Sequence, residues 1–390
     1  MIVRALRLRH FRNYRAQEVG LPPGLVALTG DNGQGKTNLL EALCVLATTK
    51  SPLVERDREL IFWNESEARL GADIELEAGR RADEPESTPL FRRTLEYGWR
   101  IAGNSVSKEM RAGGVPQSQL VQWLGQLQVV AFFPHDLTII TGEPGERRRF
   151  LNLELGKSRP AHFADAARYR RALQQRNALL KSLAESRWKG RAPIGNAAEG
   201  LGTLSEWNRQ IIAYGARILA QRAVFLRELA PLLSETHRNL SGREEIFQVE
   251  YAPGIEARDE SDNWSGFFAS ALERSHDNDL RRGTTLVGPH RDDLVFKLGD
   301  MDLRRYGSQG QQRLAVLALK IALGRWVKHV VGESPVLLLD DALSELDATR
   351  RERLLAETAH FSQSVLTATD ASFLSGGEAA TMRVENGRVI

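Results

Sequence analysis

Eight residues near the start of the chain, Gly30-Asp31-Asn32-Gly33-Gln34-Gly35-Lys36-Thr37, hold the spacing G-x-x-x-x-G-K-T. Glycines let a backbone curl so that several N–H groups face one anion, and a helix N-terminus behind them adds its dipole. Lys36 is placed to reach the β- and γ-phosphates of a nucleotide, and Thr37 to reach a Mg²⁺ ion between them. Asn38 completes the expected phosphate-binding set. The context supports this reading. Leu25-Val26-Ala27-Leu28 precedes the loop as a short apolar strand, and residues 36–47 are rich in helix formers.

Two more strings lie about 300 residues downstream. Val336-Leu337-Leu338-Leu339-Asp340-Asp341 is a buried-type strand ending in two carboxylates. Asp340 suits a Mg²⁺ ion held through water, and Asp341 stands where a general base polarises the attacking water. Ser308-Gln309-Gly310-Gln311-Gln312-Arg313 opens a helix expected over 310–331. A serine hydroxyl and free helix amides are what a γ-phosphate oxygen needs, with Ser308, Gly310 and Gln311 as its contacts. Ala342-Leu343-Ser344-Glu345-Leu346-Asp347 follows as a D-loop-like string. Lys36, Asp340, Asp341 and Ser308 are the expected catalytic set, with Thr37 and Asp340 on the metal.

These sites must be positioned by elements from both ends of the chain. Residues 1–30 read as two strands. A β meander follows, with strands over Leu70–Glu77, Phe91–Tyr97 and Trp99–Ala102, and 79–89 is a polar loop. Residues 161–187 and 203–240 read as a helical hairpin, which Pro231 should kink or break. After residue 245 strands return, and a short hairpin ends the chain. The expected division is 1–155 as the N-terminal part of an ATPase head, 156–245 as a helical lobe and 246–390 as the C-terminal part. The expected class is α/β.

With 390 residues the chain can build two cores, and 42% hydrophobic and 26% charged residues fit a globular protein. No apolar run reaches the roughly 20 residues of a membrane span, so no membrane partner is expected. The opening Met1-Ile2-Val3-Arg4-Ala5 alternates like a strand, and with the single cysteine, Cys44, points to a cytoplasmic protein. A net charge of +3 does not by itself name a nucleic-acid partner.

The order of P-loop, helical hairpin, signature, Walker B and D-loop resembles the SMC-like ABC ATPases, whose head is made from both chain ends. Further strings resemble the RecF family: Leu8-Arg9-His10-Phe11-Arg12-Asn13-Tyr14, Phe133-Pro134-His135-Asp136-Leu137, Gly142-Glu143-Pro144-Gly145-Glu146-Arg147-Arg148-Arg149-Phe150-Leu151 and Gly288-Pro289-His290-Arg291-Asp292-Asp293-Leu294. That resemblance implies a weak, DNA-dependent ATPase that uses ATP and Mg²⁺ and dimerises on ATP. It implies binding to double-stranded DNA and to junctions of single and double strands, and a nucleoid association. The implied protein partners are RecR and RecO, with RecA loaded as the outcome. It also implies that Arg12 and Asn13 touch the nucleotide phosphates.

Several assignments stay open. Relatives carry Ser-x-Arg where this chain has Ser51-Pro52-Leu53. ABC proteins often have a histidine where Thr367-Ala368-Thr369-Asp370 stands, so Thr369 or Asp370 would sense the γ-phosphate. Gln126 and Gln128 are both candidates for the Q-loop glutamine. His135, His290 and Arg291 are site residues or packing residues. Arg147, Arg148, Arg168, Arg170, Arg171, Arg176 and Lys181 form a DNA-facing surface or a solvated face. A transporter ATPase subunit shares the three main motifs and is the alternative reading, although such subunits lack a hairpin at 160–240. A scaffold without hydrolysis is a further rival, which the intact motifs oppose.

Overall fold

A computed structural model describes residues 1–76, 91–188, 197–256, 263–372 and 379–390. The polar loop expected at 79–89 lies outside them. The chain divides into two compact units.

The first unit comprises Met1–Leu137, Pro231–Phe247 and Gly307–Ile390. It holds two six-stranded sheets. One runs in the order β2 (Tyr14–Gly20), β1 (Ile2–Phe11), β4 (Glu67–Leu76), β5 (Phe91–Ala102), β6 (Ser105–Ala112), β7 (Val115–Pro116), all antiparallel. The other runs β15 (Arg388–Val389), β14 (Ala380–Glu385), β3 (Gly24–Thr29), β13 (Gln363–Ala368), β12 (Val336–Leu339), β8 (Val129–Phe132). It is parallel except for β15. The P-loop helix, Lys36–Thr48, is buried from Leu39 through Ala47, and Cys44 is one of its core residues. A helix apolar on all sides must be covered on all sides, and both sheets contribute to the same core around it.

The chain ends are tied by more than strand pairing. The Gln363 amide on β13 accepts from Val3 N at 2.8 Å and donates to Val3 O at 2.9 Å, so one buried side chain links β13 to β1.

The second unit comprises Thr138–Ala230 and Gln248–Tyr306. It is larger than the helical lobe expected over 156–245. It takes in a helix at Pro144–Ser158, a helix at Trp264–Arg282 and the sheet β11 (Met301–Asp302), β10 (Asp293–Leu298), β9 (Phe247–Ala252), most of which the sequence assigns to the head. Ion pairs of two buried arginines explain the difference. Arg147 donates to Asp293 and Arg222 to Asp292, which fastens residues 288–294 to the helices. The expected hairpin is present as helices Pro160–Trp188 and Ala197–Ser241. Bonds from His162 to Gln221 and from Arg176 to Asn208 give them an antiparallel register. The second helix continues through Pro231, where the unit boundary falls. The proline removes one amide donor; Leu226 and Leu229 before it and Leu233 after it are buried.

His162 and His290 are both drawn into this unit's interior. Burial lowers each to about 4 from an ordinary 6.5, with neighbouring arginines adding to the effect. The folded state therefore favours neutral imidazole, and its contribution to stability is complete above pH 6.5 and lost as pH falls toward 4. The melting temperature should drop over that window, and His162→Gln should flatten the drop. Calorimetry between pH 7.5 and pH 4.5 checks this; identical slopes for both proteins would contradict it.

Candidate nucleotide site

The sheet order places the chemistry. β3 runs parallel to β13, and β13 to β12, so the P-loop after Thr29 and the carboxylates after Leu339 leave the same edge of the sheet. Thr37 Oγ1 donates to Asp340 at 2.9 Å. Thr367, on β13, donates to the same carboxylate at 2.9 Å, and its hydroxyl accepts from Asp341 N at 2.9 Å. Burial raises the Asp340 carboxyl above its ordinary value, and the neighbouring Asp341 adds to this. The two threonine hydroxyls and Lys36 oppose the shift. A cation beside Thr37 and Asp340 would act in the same direction as Lys36.

Lys36 lies over its own loop, with Nζ 2.5 Å from Gly30 O and 2.8 Å from Asp31 O. Burial lowers the ammonium, while Asp340, Asp341 and Asp31 hold it up. Gly30 has φ 138°, and a Cβ there would meet Val384 O at 2.3 Å, so only glycine fits beside β14. Gln34 is gripped from two sides. Asn13, at the tight turn between β1 and β2, donates to Gln34 O at 3.0 Å. Asn386 N donates to Gln34 Oε1 at 2.7 Å and Gly387 N to Gln34 O at 3.1 Å. Asn38 donates to Asn13 and Tyr14 to Gly35 O. Asp31, Asn32 and Gly33 stay exposed at the tip of the loop.

Arg12 takes a different place. Its guanidinium forms a fork on the buried Glu41, with both bonds 2.7 Å, and donates to Glu59 O. Ser51 donates to the same Glu41 carboxylate. Of the two neighbours expected on the phosphates, Asn13 touches the P-loop and Arg12 braces its helix.

Ser308 caps the helix Gln309–Val331. Its hydroxyl accepts from Gln311 N, and the Gln311 side chain accepts from Ser308 N at 2.9 Å. Ser308, Gln309 and Gly310 are exposed. Its hydroxyl proton and the first helix amides can still meet an external anion.

Gln126 and Gln128 precede β8, whose Phe132 end pairs with Leu339 beside Asp340. They sit at the far edge of the sheet, about 13 Å away along a four-residue strand. Gln128 is buried there, its carbonyl accepting from Val336 N. At the end of β13, Thr369 O accepts from Gly30 N and the Asp370 carboxylate is taken by Ser372. The β13 residue that meets the Walker B carboxylate is Thr367. His290 is a packing residue, bonded to Tyr169 at 2.7 Å and to Thr285 O at 3.1 Å. His135 is exposed and stacks on Phe133, while Arg291 donates to Thr285 O. Three of the proposed DNA-facing residues are spent inside the second unit. Arg147 and Arg176 are buried on Asp293 and Asp279, and Arg148 donates to Asp292 O. Arg168, Arg170, Arg171 and Lys181 remain exposed.

The chain resembles known proteins along its whole length. The RecF/RecN/SMC N terminal domain matches residues 2–388. The DNA replication and repair protein RecF of Chloroflexus aurantiacus is 40% identical over 413 residues, which cover 100% of this chain and 99% of that one. The chain belongs to the RecF family. The RecF of Desulfitobacterium hafniense strain DCB-2 is 36% identical over 390 residues, covering 100% and 99%. A solved structure of the recombination mediator protein RecF-ATP in the RecFOR pathway superposes with TM-score 0.83 at 27% identity, covering 100% and 96%. An Smc head from Pyrococcus furiosus superposes with TM-score 0.55 at 16% identity, a likeness of fold alone. The fold is therefore that of an SMC-like ABC-type ATPase head, in a family of ATP-binding proteins of DNA replication and repair. The transporter reading finds no support. Among the described residues no helix is long and apolar enough to cross a membrane.

Gly387 has φ 69°, and a Cβ there would meet Asn13 O at 2.5 Å. Gly387→Ala should displace the turn, loosen the P-loop and weaken ATP binding by about tenfold, or about 1.4 kcal/mol. Titration with a fluorescent ATP analogue measures this, and wild-type affinity would show that the hairpin does not set the loop.

Proposed function

We propose that the chain is an ATP-switched DNA-binding ATPase of recombinational repair and replication-fork maintenance. The observation that carries the reading is the convergence of Lys36, Thr37, Asp340 and Thr367 at one sheet edge, with Asp341 beside them. Lys36 and the loop amides would bind the ATP phosphates. Thr37 and Asp340 offer hard oxygens 2.9 Å apart, which fit a Mg²⁺ ion that completes its shell with phosphate and water. Among the described residues no cluster of three acidic, histidine or cysteine side chains offers an all-protein metal cage. Mg²⁺ would neutralise charge that develops on the phosphates. Asp341 would accept a proton from the attacking water.

Ser308 then acts in trans. Its exposed helix start would close on ATP held by Lys36 and Thr37 of a second copy, giving a two-fold dimer with two ATP molecules inside. ADP lacks the γ-phosphate oxygens that Ser308 would hold, so hydrolysis would release the dimer. Double-stranded DNA and single/double-strand junctions are the proposed substrates of the grip, through exposed residues such as Arg168, Arg170, Arg171 and Lys181. The cooperation with RecR and RecO, the loading of RecA, slow DNA-stimulated turnover and a cytoplasmic, nucleoid-associated location rest on family membership.

Complementation tests the trans site. Lys36→Met and Ser308→Arg should each be inactive. An equal mixture places one intact composite site in half of the dimers, so about a quarter of wild-type ATPase activity should return. No recovery at any ratio would contradict the trans arrangement.

A further inference from the structure

Asp341 has an unusual backbone. Its φ is 50°, in the left-handed region that side chains with a Cβ rarely occupy. Both of its peptide groups are held. Its N–H donates to Thr367 Oγ1 at 2.9 Å. Its carbonyl accepts from Ser344 Oγ at 3.1 Å and from Arg313 Nη2 at 2.5 Å. The direction of the Asp341 carboxylate follows from this conformation, because flipping either peptide would swing its Cβ away.

Arg313 is the buried part of that arrangement. It is the last residue of the signature string and is 4% exposed. Its guanidinium lies over the Phe132 ring at 5.7 Å and pairs with Glu345 of the D-loop at 2.9 Å. A planar fork can serve a carbonyl and a carboxylate at once while stacking on an aromatic face, which a lysine ammonium cannot. One side chain thus touches the ends of β8 and β12 and the D-loop, and it grows from the first turns of the helix that Ser308 caps.

We propose that Arg313 is a positioning residue for ATP hydrolysis: it holds the Asp341 main chain in its left-handed conformation, and so aims the general base, from the signature helix. The step it supports is proton transfer from water to the Asp341 carboxylate as the water oxygen bonds to the γ-phosphorus and the bond to the bridging oxygen breaks. Arg313 is buried among Phe132, the Asp341 carbonyl and Glu345, so it would act through Asp341. Ser308 and Arg313 lie within the opening turns of one helix, so the turn that would meet phosphate also carries the side chain that sets the base. The proposal rests on the reading of Asp341 as the general base.

The test is steady-state ATP hydrolysis by the full chain, with affinity from a fluorescent ATP analogue and melting temperature from calorimetry. Arg313→Met should lower kcat by about tenfold while KM and analogue affinity stay within about twofold. Arg313→Lys should fall between Arg313→Met and wild type. Should Arg313→Met fail to fold, Ser344→Ala carries the test. Ser344 is exposed and serves the same carbonyl, so kcat should drop by about threefold with the melting temperature unchanged. Wild-type kcat in the folded Arg313 variants and in Ser344→Ala overturns the proposal. So does a loss of kcat matched by a loss of nucleotide affinity. Asp341→Asn separates the two levels. Wild-type turnover by Asp341→Asn removes the general-base reading itself, whereas an inactive Asp341→Asn beside fully active Arg313 variants removes only the positioning role.

Discussion

The site depends on one placement: β3, made at the start of the chain, lies between β13 and β14, made at its end. The strand that launches the P-loop has no partners in its own part of the sequence within that sheet. Its register with β13, Leu25 opposite Ser364 through Thr29 opposite Ala368, brings Lys36 and Thr37 level with Asp340. Closing a loop of this length costs only slightly more than closing one half as long. The cost is offset by burial of the P-loop helix and by the Gln363 amide on Val3. The last hairpin then fixes Gln34 directly. The middle of the chain is free to form a second unit with its own buried charges.

Electrostatics at the site follow from burial. Asp340 is costly as an anion in its pocket, and Thr37, Thr367 and Lys36 offset that cost. Lys36 is in the converse position, disfavoured by burial and supported by three carboxylates. Each group therefore stabilises the charge of the other. ATP and Mg²⁺ would add one polyanion and one dication to this balance, so binding would rearrange the existing contacts and need not create charge in the interior. Asp341 differs in being exposed, with its main chain fixed.

The loop Gly30–Thr37 was legible in the sequence because its residues are contiguous and flanked by a strand and a helix. The same holds for Asp340-Asp341 after four apolar residues and for the capped helix at Ser308. Thr367 was not legible as a site residue, since nothing local distinguishes it from Thr369. Only the parallel register with β12 brings it to Asp340. Arg147 and Arg176 read as surface charge in the sequence because their partners Asp293 and Asp279 lie 146 and 103 residues away in the chain. β2 was missed because only Tyr14 and Val19 in it are buried, which leaves no alternating pattern to read. β5 was read as two strands because Gly98 interrupts it. The glycine faces outward between Ala68 and Arg69 and leaves the strand intact.

The proposed joining of two heads through the γ-phosphate is tested most directly by sedimentation velocity. The full chain would be run with Mg²⁺ and no nucleotide, with ADP, with ATP and with a non-hydrolysable ATP analogue, each with and without a short DNA duplex. A sandwich held through Ser308 gives a monomer without nucleotide and with ADP, and a dimer with ATP or the analogue, made more stable by DNA. A species of the same mass in every nucleotide state, whether monomer or dimer, would contradict it.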